Sequence, residues 1–303
     1  MPQLDGYSSG AAVEQAIKSA AKEAKAAGLP HDVGQLIELE YLHRFLSRVF
    51  TDRNAEGWVL KGGTGMLARI PTTRYTTDID LYRCDSSIDD ALSDLRRVAA
   101  IDLRDHFRFE YAAHTPIVAG EGQPYALGYD VKFDTYIGTK NAGPVHVDLV
   151  VGIVITDHIE IAEPENALQL PRLASSPYRL YPLVDQIADK VCATATIHNG
   201  RESSRIKDVI DLLVIATNSP VSGSALTTAI TAEAARRELT LDRHLSVPSS
   251  WKERWAREAR KVPLIADFPT VEAAQELITR FVDPALSAAA ESLTWDPTAL
   301  TWV

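Results

Sequence analysis

Two aspartates stand one residue apart behind a glycine turn: Lys61-Gly62-Gly63-Thr64-Gly65, then Asp78-Ile79-Asp80. A glycine turn lets backbone amides approach a phosphate. Two carboxylates at alternate positions of a strand share one face and can hold a divalent metal beside that phosphate. Together they point to nucleotidyl transfer, the attack on the α-phosphate of a nucleoside triphosphate. Such chemistry is mostly positioning and charge neutralisation, and a third acid on an adjacent strand belongs with it. Asp148, centred in Val145-His146-Val147-Asp148-Leu149-Val150-Val151, supplies one. Buried without a partner it would be costly, and a metal, an arginine or backbone amides would relieve it. The expected metal set is Asp78, Asp80 and Asp148, and the expected ion is magnesium, with manganese as a substitute.

Other chemistries fit less well. A calcium loop also begins D-x-D, but its sixth position here is Arg83 and no glutamate stands at the twelfth. No Gly-Lys-Ser/Thr follows the glycines, so the turn is not a P-loop. HExxH and G-x-S-x-G are absent, and Ser204-Arg205-Ile206-Lys207 lacks the companions of a β-lactamase. His146 alternates onto the face of Asp148 and reads equally as a site residue or as an ordinary strand histidine.

The elements that must position these residues are legible in outline. Ala11 to Ala27 reads as a helix stopped by Gly28-Leu29-Pro30, and Leu36 to Val49 as a second with apolar residues at three-to-four spacing. Trp58-Val59-Leu60 is a strand running into the glycine turn, and Thr64 to Ile70 a short helix. Thr76 to Tyr82 is a strand with acids on one face and aliphatics on the other. Ser86 to Val98 is a capped helix. Phe107 to His114, Tyr129 to Ile137 and Val145 to Val151 are strands. The Pro-rich stretch Pro164 to Pro182 reads as a linker or domain edge. Beyond it helices are expected over Val184–His198, Ser203–Thr217, Ala225–Leu239, Ser249–Lys261 and Val271–Ser292. The fold class expected is α+β: a mixed sheet with flanking helices over residues 1–165, then an all-helical lobe over 166–303, with a cleft between them.

The chain has 303 residues, 46% hydrophobic and 24% charged, with a net charge of −10. That balance excludes a general nucleic-acid coat protein and leaves room for a local basic patch. No apolar run approaches the roughly 18–20 residues a membrane span needs. The N-terminus has no basic flank and no apolar signal core. Two cysteines make neither a disulfide framework nor a zinc site. A cytoplasmic location is expected, with no membrane partner.

Leu60-Lys61-Gly62-Gly63-Thr64 and Arg74…Thr77-Asp78-Ile79-Asp80-Leu81 resemble the first signature of the AbiEii/AbiGii-type nucleotidyltransferase toxins. These include the mycobacterial MenT toxins and belong to the DNA polymerase β-like superfamily. Asp189-Lys190-Val191-Cys192-Ala193 and Arg205-Ile206-Lys207-Asp208-Val209-Ile210-Asp211-Leu212 resemble the family's lysine-containing and R-x-K-D-x-x-D-L motifs. The superfamily usually has Gly-Ser where this chain has Gly62-Gly63, so Thr64 or backbone amides must replace a serine contact to phosphate.

The resemblance implies a nucleotidyltransferase-like sheet and a toxin that adds pyrimidine nucleotides to the 3′ acceptor end of transfer RNA, blocking aminoacylation. It implies a nucleoside triphosphate as substrate and a cognate antitoxin as partner. Asp80, Lys190, Asp211 and Asp148 carry the catalytic expectation. Gly62, Gly63, Thr64, Arg74, Lys190, Arg205, Lys207 and Asp208 carry nucleotide binding. Arg74 reads either as a phosphate contact or as the partner of a D-x-D acid, and Arg205 with Asp208 also reads as an exposed ion pair. The rival readings are transfer of AMP or UMP to a protein hydroxyl, and a non-catalytic nucleotide- or partner-binding module. Thr76 and Thr77 are candidate sites of restraint by phosphorylation. Trp251 to Lys261 reads as a helix with an aromatic core stripe, or as an RNA-docking surface with Arg172, Arg179, Arg236, Arg237 and Arg243 as neighbours.

Overall fold

In a computed structural model, residues 6–51, 55–117, 127–196 and 203–303 are described. Helix α1 (Gly10–Ala26) begins where the Ser9 hydroxyl accepts the Ala12 amide at 3.2 Å. It is followed at once by Gly28 in the left-handed region, φ 103°. Helix α2 (Val33–Thr51) packs beside it, and helix α4 (Ile88–Ala99) is capped by Ser87. Helix α3 (Gly62–Arg69) begins at the glycines themselves, with Lys61 as its first flanking residue.

Among the described residues seven strands form one mixed sheet: β1 (Trp58–Leu60), β2 (Asp78–Arg83), β3 (Phe107–Pro116), β4 (Leu127–Ile137), β5 (Lys140–Val151), β6 (Glu160–Ala162) and β7 (Tyr178–Leu180). Their order is β3-β4-β5-β2-β1-β7-β6. The alternation along β2, β4 and β5 settles the faces. Ile79, Leu81, Val131, Phe133, Val147 and Leu149 join α1, α2 and α4 in one core, and the acids are left on the other face.

The Pro-rich stretch does more than link. It crosses α2, where Arg44 donates to the Ala174 carbonyl at 2.7 Å, and it delivers β7 to the sheet beside β1. The sheet therefore takes a strand from beyond residue 165. A three-residue strand has too few side chains to show a period, which is why β6 and β7 were not foreseen. The same strap buries α2 almost all round, so Arg48 needs its bidentate bond to Asp105, at 2.7 and 3.0 Å.

The C-terminal part is helical: α5 (Leu183–Ala195), α6 (Ile206–Asn218), α7 (Gly223–Arg236), α8 (Lys252–Ala259) and α9 (Val271–Leu286) surround a second core. The last residues expected for the first of these, up to His198, lie outside the described residues. The part is not all-helical. Strands β8 (Val221–Ser222), β9 (Thr294–Asp296) and β10 (Thr301–Trp302) form a small antiparallel sheet. Trp295 anchors it, fully buried and donating to the Ala216 carbonyl at 2.7 Å. Trp251, just before α8, and Trp255 within it are buried, so this aromatic pair is core. Arg236 and Arg237 turn inward onto Glu233 and are withdrawn from any docking surface. Among the described residues no helix is long and apolar enough to cross a membrane.

Candidate active site

Strand β2 runs parallel to β5, and Asp80 stands directly opposite Asp148. Strand β5 pairs with β4, and Asp148 stands opposite Asp130. Three acids thus form a row across adjacent strands, about 5 Å apart from strand to strand. Asp78 sits one step along the same face, opposite His146, which reaches Asp130 at 3.4 Å. Asp130 escaped sequence reading, although its place in the Tyr129-Asp130-Val131-Lys132-Phe133 alternation put it on the polar face.

Such a row repels itself. Burial and the neighbouring acids Asp80, Asp78 and Asp130 push the Asp148 carboxyl up to about 6. Burial also raises the Asp80 carboxyl, against the pull of Lys61, Lys190 and Arg74. Among the described residues no hydrogen bond or ion pair reaches the carboxylate of Asp80 or Asp148. Nor are three acid, histidine or cysteine side chains already gathered at ion-binding distance. Asp78, Asp80 and Asp148 share a face and have not closed on a common point, as like charges should not. Hard oxygen donors, mutually repelling and without cationic partners in contact, fit a divalent cation such as magnesium.

The glycine turn is built around Asp80. Gly62 has φ 60°, and a methyl there would fall 1.8 Å from Asp80 Oδ2. Only glycine accepts both the backbone conformation and that approach. The Lys61 amide donates to the Asp80 carbonyl at 2.8 Å, and the first intrahelical bond of α3 runs from Gly65 to Lys61. The amides of Gly62, Gly63 and Thr64 therefore have no partner within the helix, and no side chain caps them. These are the donors that a phosphate would take. Thr64 is buried, and its hydroxyl donates to the Asp78 carbonyl at 2.6 Å, fastening helix to strand. Gln186 of α5 holds the Gly62 carbonyl at 3.0 Å. Thr77 is exposed and donates to Asp78 at 3.2 Å.

The helical part brings its own charges. Lys190 of α5 donates to Asp211 at 2.6 Å and to Asp208 at 3.2 Å. Arg74 grips Asp211 with two bonds, at 2.9 and 3.0 Å. Burial would raise the Asp211 carboxyl, but Lys190 and Arg74 outweigh it and hold it below the ordinary range. Asp211 thus anchors two cations, Lys190 and Arg74. Arg74 pairs with Asp211, not with an acid of the D-x-D. Arg205 is half-exposed, 3.7 Å from Asp208, and Lys207 is exposed at the start of α6. Neither is drawn into the site.

Asp211→Ala should leave Arg74 without its carboxylate partner and Lys190 with Asp208 alone. Breaking a buried pair from one side costs about 3–5 kcal/mol. The melting temperature should fall by several degrees, and Asp211→Asn should lose less. A thermal melt of Asp211→Ala at the wild-type midpoint would refute the anchor role.

Residues 44–278 match the family described as Nucleotidyl transferase AbiEii toxin, Type IV TA system. The chain belongs to this family. Among solved structures, MenT4, a nucleotidyltransferase toxin from Mycobacterium tuberculosis, is 15% identical, with a TM-score of 0.47 over 84% of this chain and 93% of that one. JHP933 from Helicobacter pylori is 14% identical, with a TM-score of 0.42 over 85% of this chain and 92% of that one. No curated protein matches the sequence.

Proposed function

We propose that this AbiEii toxin transfers a nucleoside monophosphate, a pyrimidine nucleotide, from a nucleoside triphosphate to the 3′ acceptor end of transfer RNA and so blocks aminoacylation. The observation that carries the chemistry is the row Asp80–Asp148–Asp130, with Asp78 beside it, facing uncapped amides and buried cations. Asp78, Asp80 and Asp148 would hold magnesium, which supplies neutralising charge between phosphate and carboxylates. Gly62 and Gly63 present amides to the phosphates. Lys190 and Arg74, held by Asp211, set positive charge against the triphosphate. A 3′ oxygen attacks the α-phosphorus, pyrophosphate leaves, and the hydroxyl proton passes to Asp148.

The experiment is incubation of the chain with each labelled triphosphate, plus total RNA or total protein, with and without magnesium. Label in the transfer RNA band, strongest with CTP or UTP and lost without magnesium, is the expected result. Label in protein alone would replace the acceptor with a protein hydroxyl. Binding without transfer to either would leave a non-catalytic module. A cognate antitoxin, the partner this toxin class implies, should suppress the label.

A further inference from the structure

Lys61 precedes the glycine turn and is mostly buried, with its side chain 14% exposed. Its ammonium lies 2.9 Å from Asp189 and 4.5 Å from the centre of the Tyr181 ring. Asp189 also takes Arg237, at 3.3 Å. Arg237 and Arg236 both bind Glu233, at 2.5 and 2.7 Å. A largely buried chain of five charges is weak evidence for stability, because desolvation offsets most of the Coulomb gain. What it does provide is a fixed position for the group at its end.

That end is Lys61, and it lies at the candidate site. Its amide holds the Asp80 carbonyl, and the next residue, Gly62, packs against the Asp80 carboxylate. Helix α5 presents Gln186, Asp189 and Lys190 at i, i+3 and i+4, hence on one face. Those side chains hold the Gly62 carbonyl, the Lys61 ammonium and the Asp208–Asp211 pair. One helix face thus sets both the glycine turn and the cations around it. Lys190 is already paired with two carboxylates, and Arg74 grips Asp211 with two bonds. Lys61 has one carboxylate and an aromatic face, so its ammonium keeps donor capacity for a phosphate.

We propose that Lys61 is a further triphosphate-binding cation of this site and that Asp189, braced by Arg237 and Glu233, is its positioning residue. The proposal rests on the nucleotidyl-transfer reading. Its test is calorimetric titration of inorganic tripolyphosphate, and of each nucleoside triphosphate, into wild type and the variants Lys61→Ala, Lys61→Arg and Asp189→Asn, in buffer containing magnesium. Lys61→Ala should weaken tripolyphosphate binding by about tenfold and raise KM similarly, with kcat changed by less than about threefold. Lys61→Arg should recover most of that loss, and Asp189→Asn should show a loss of about threefold. Melting temperatures of all four proteins identify any variant that has lost its fold. If Lys61→Ala does not fold, Asp189→Asn measured against wild type carries the test. Wild-type affinity in folded Lys61→Ala, or no weakening in Asp189→Asn, overturns the proposal alone. A wild type that binds neither tripolyphosphate nor any nucleotide overturns the nucleotidyl-transfer reading beneath it.

Discussion

Asp80→Ala should abolish nucleotidyl transfer while leaving the fold at least as stable as wild type. Asp80 sits at the junction of the site: opposite Asp148, against Gly62, and within the pull of Lys61, Lys190 and Arg74. Losing one electrostatic element of a preorganised site commonly costs two to three orders of magnitude, and losing a metal ligand costs more. The expected fall is at least about 1,000-fold, roughly 4 kcal/mol of barrier. The fold should survive because no donor in contact with the Asp80 carboxylate is left stranded, and burial already disfavours its charge. Two measurements check it: the labelled-nucleotide assay, and a thermal melt with and without millimolar magnesium. Magnesium should stabilise wild type and not the variant, since only a bound ligand shifts the midpoint. Transfer retained within about tenfold in a folded Asp80→Ala protein would remove the carboxylate row from the mechanism.

Asp148→Asn should stabilise the metal-free protein at neutral pH while eliminating activity. The Asp148 carboxyl is raised from 3.8 to about 6, so the fold favours its protonated form. The folded state then binds more protons than the unfolded chain between about pH 4 and 6, and stability falls as pH rises through that window. The full shift corresponds to about 3 kcal/mol. Partial solvent exposure screens it, and about 1–2 kcal/mol is the expected contribution. In EDTA, wild type should therefore lose melting temperature between about pH 4 and 6, relative to Asp148→Asn, and above pH 7 the variant should melt several degrees higher. Identical pH profiles for the two proteins would show that the row does not repel itself.

Both predictions describe a site that trades stability for function, and that explains which features were legible. The glycine turn, the D-x-D strand, Asp148 in its β-branched run and the Lys190 and Asp211 helices were all visible, because each lies in one continuous element with its own period. Asp78 and Asp80 were assigned to one face by alternation alone, and pairing places them beside Asp148. The bond from the Thr64 hydroxyl to the Asp78 carbonyl was not legible, because a hydroxyl near a glycine turn looks free until the strand carbonyl it binds is placed. The grip of Arg74 on Asp211 was not legible, because the two lie 137 residues apart.

The sequence by itself determined the elements and which side of each strand carries charge, since period and residue type act locally. The remaining features arose when strands paired and helices docked. Sheet order brought Asp130 into line with Asp148, and the strap supplied β7. Packing of α5 against the glycine turn gave Lys61 its partner Asp189. The reason is that charges choose partners by distance through space, and those distances exist only after strands pair and helices dock.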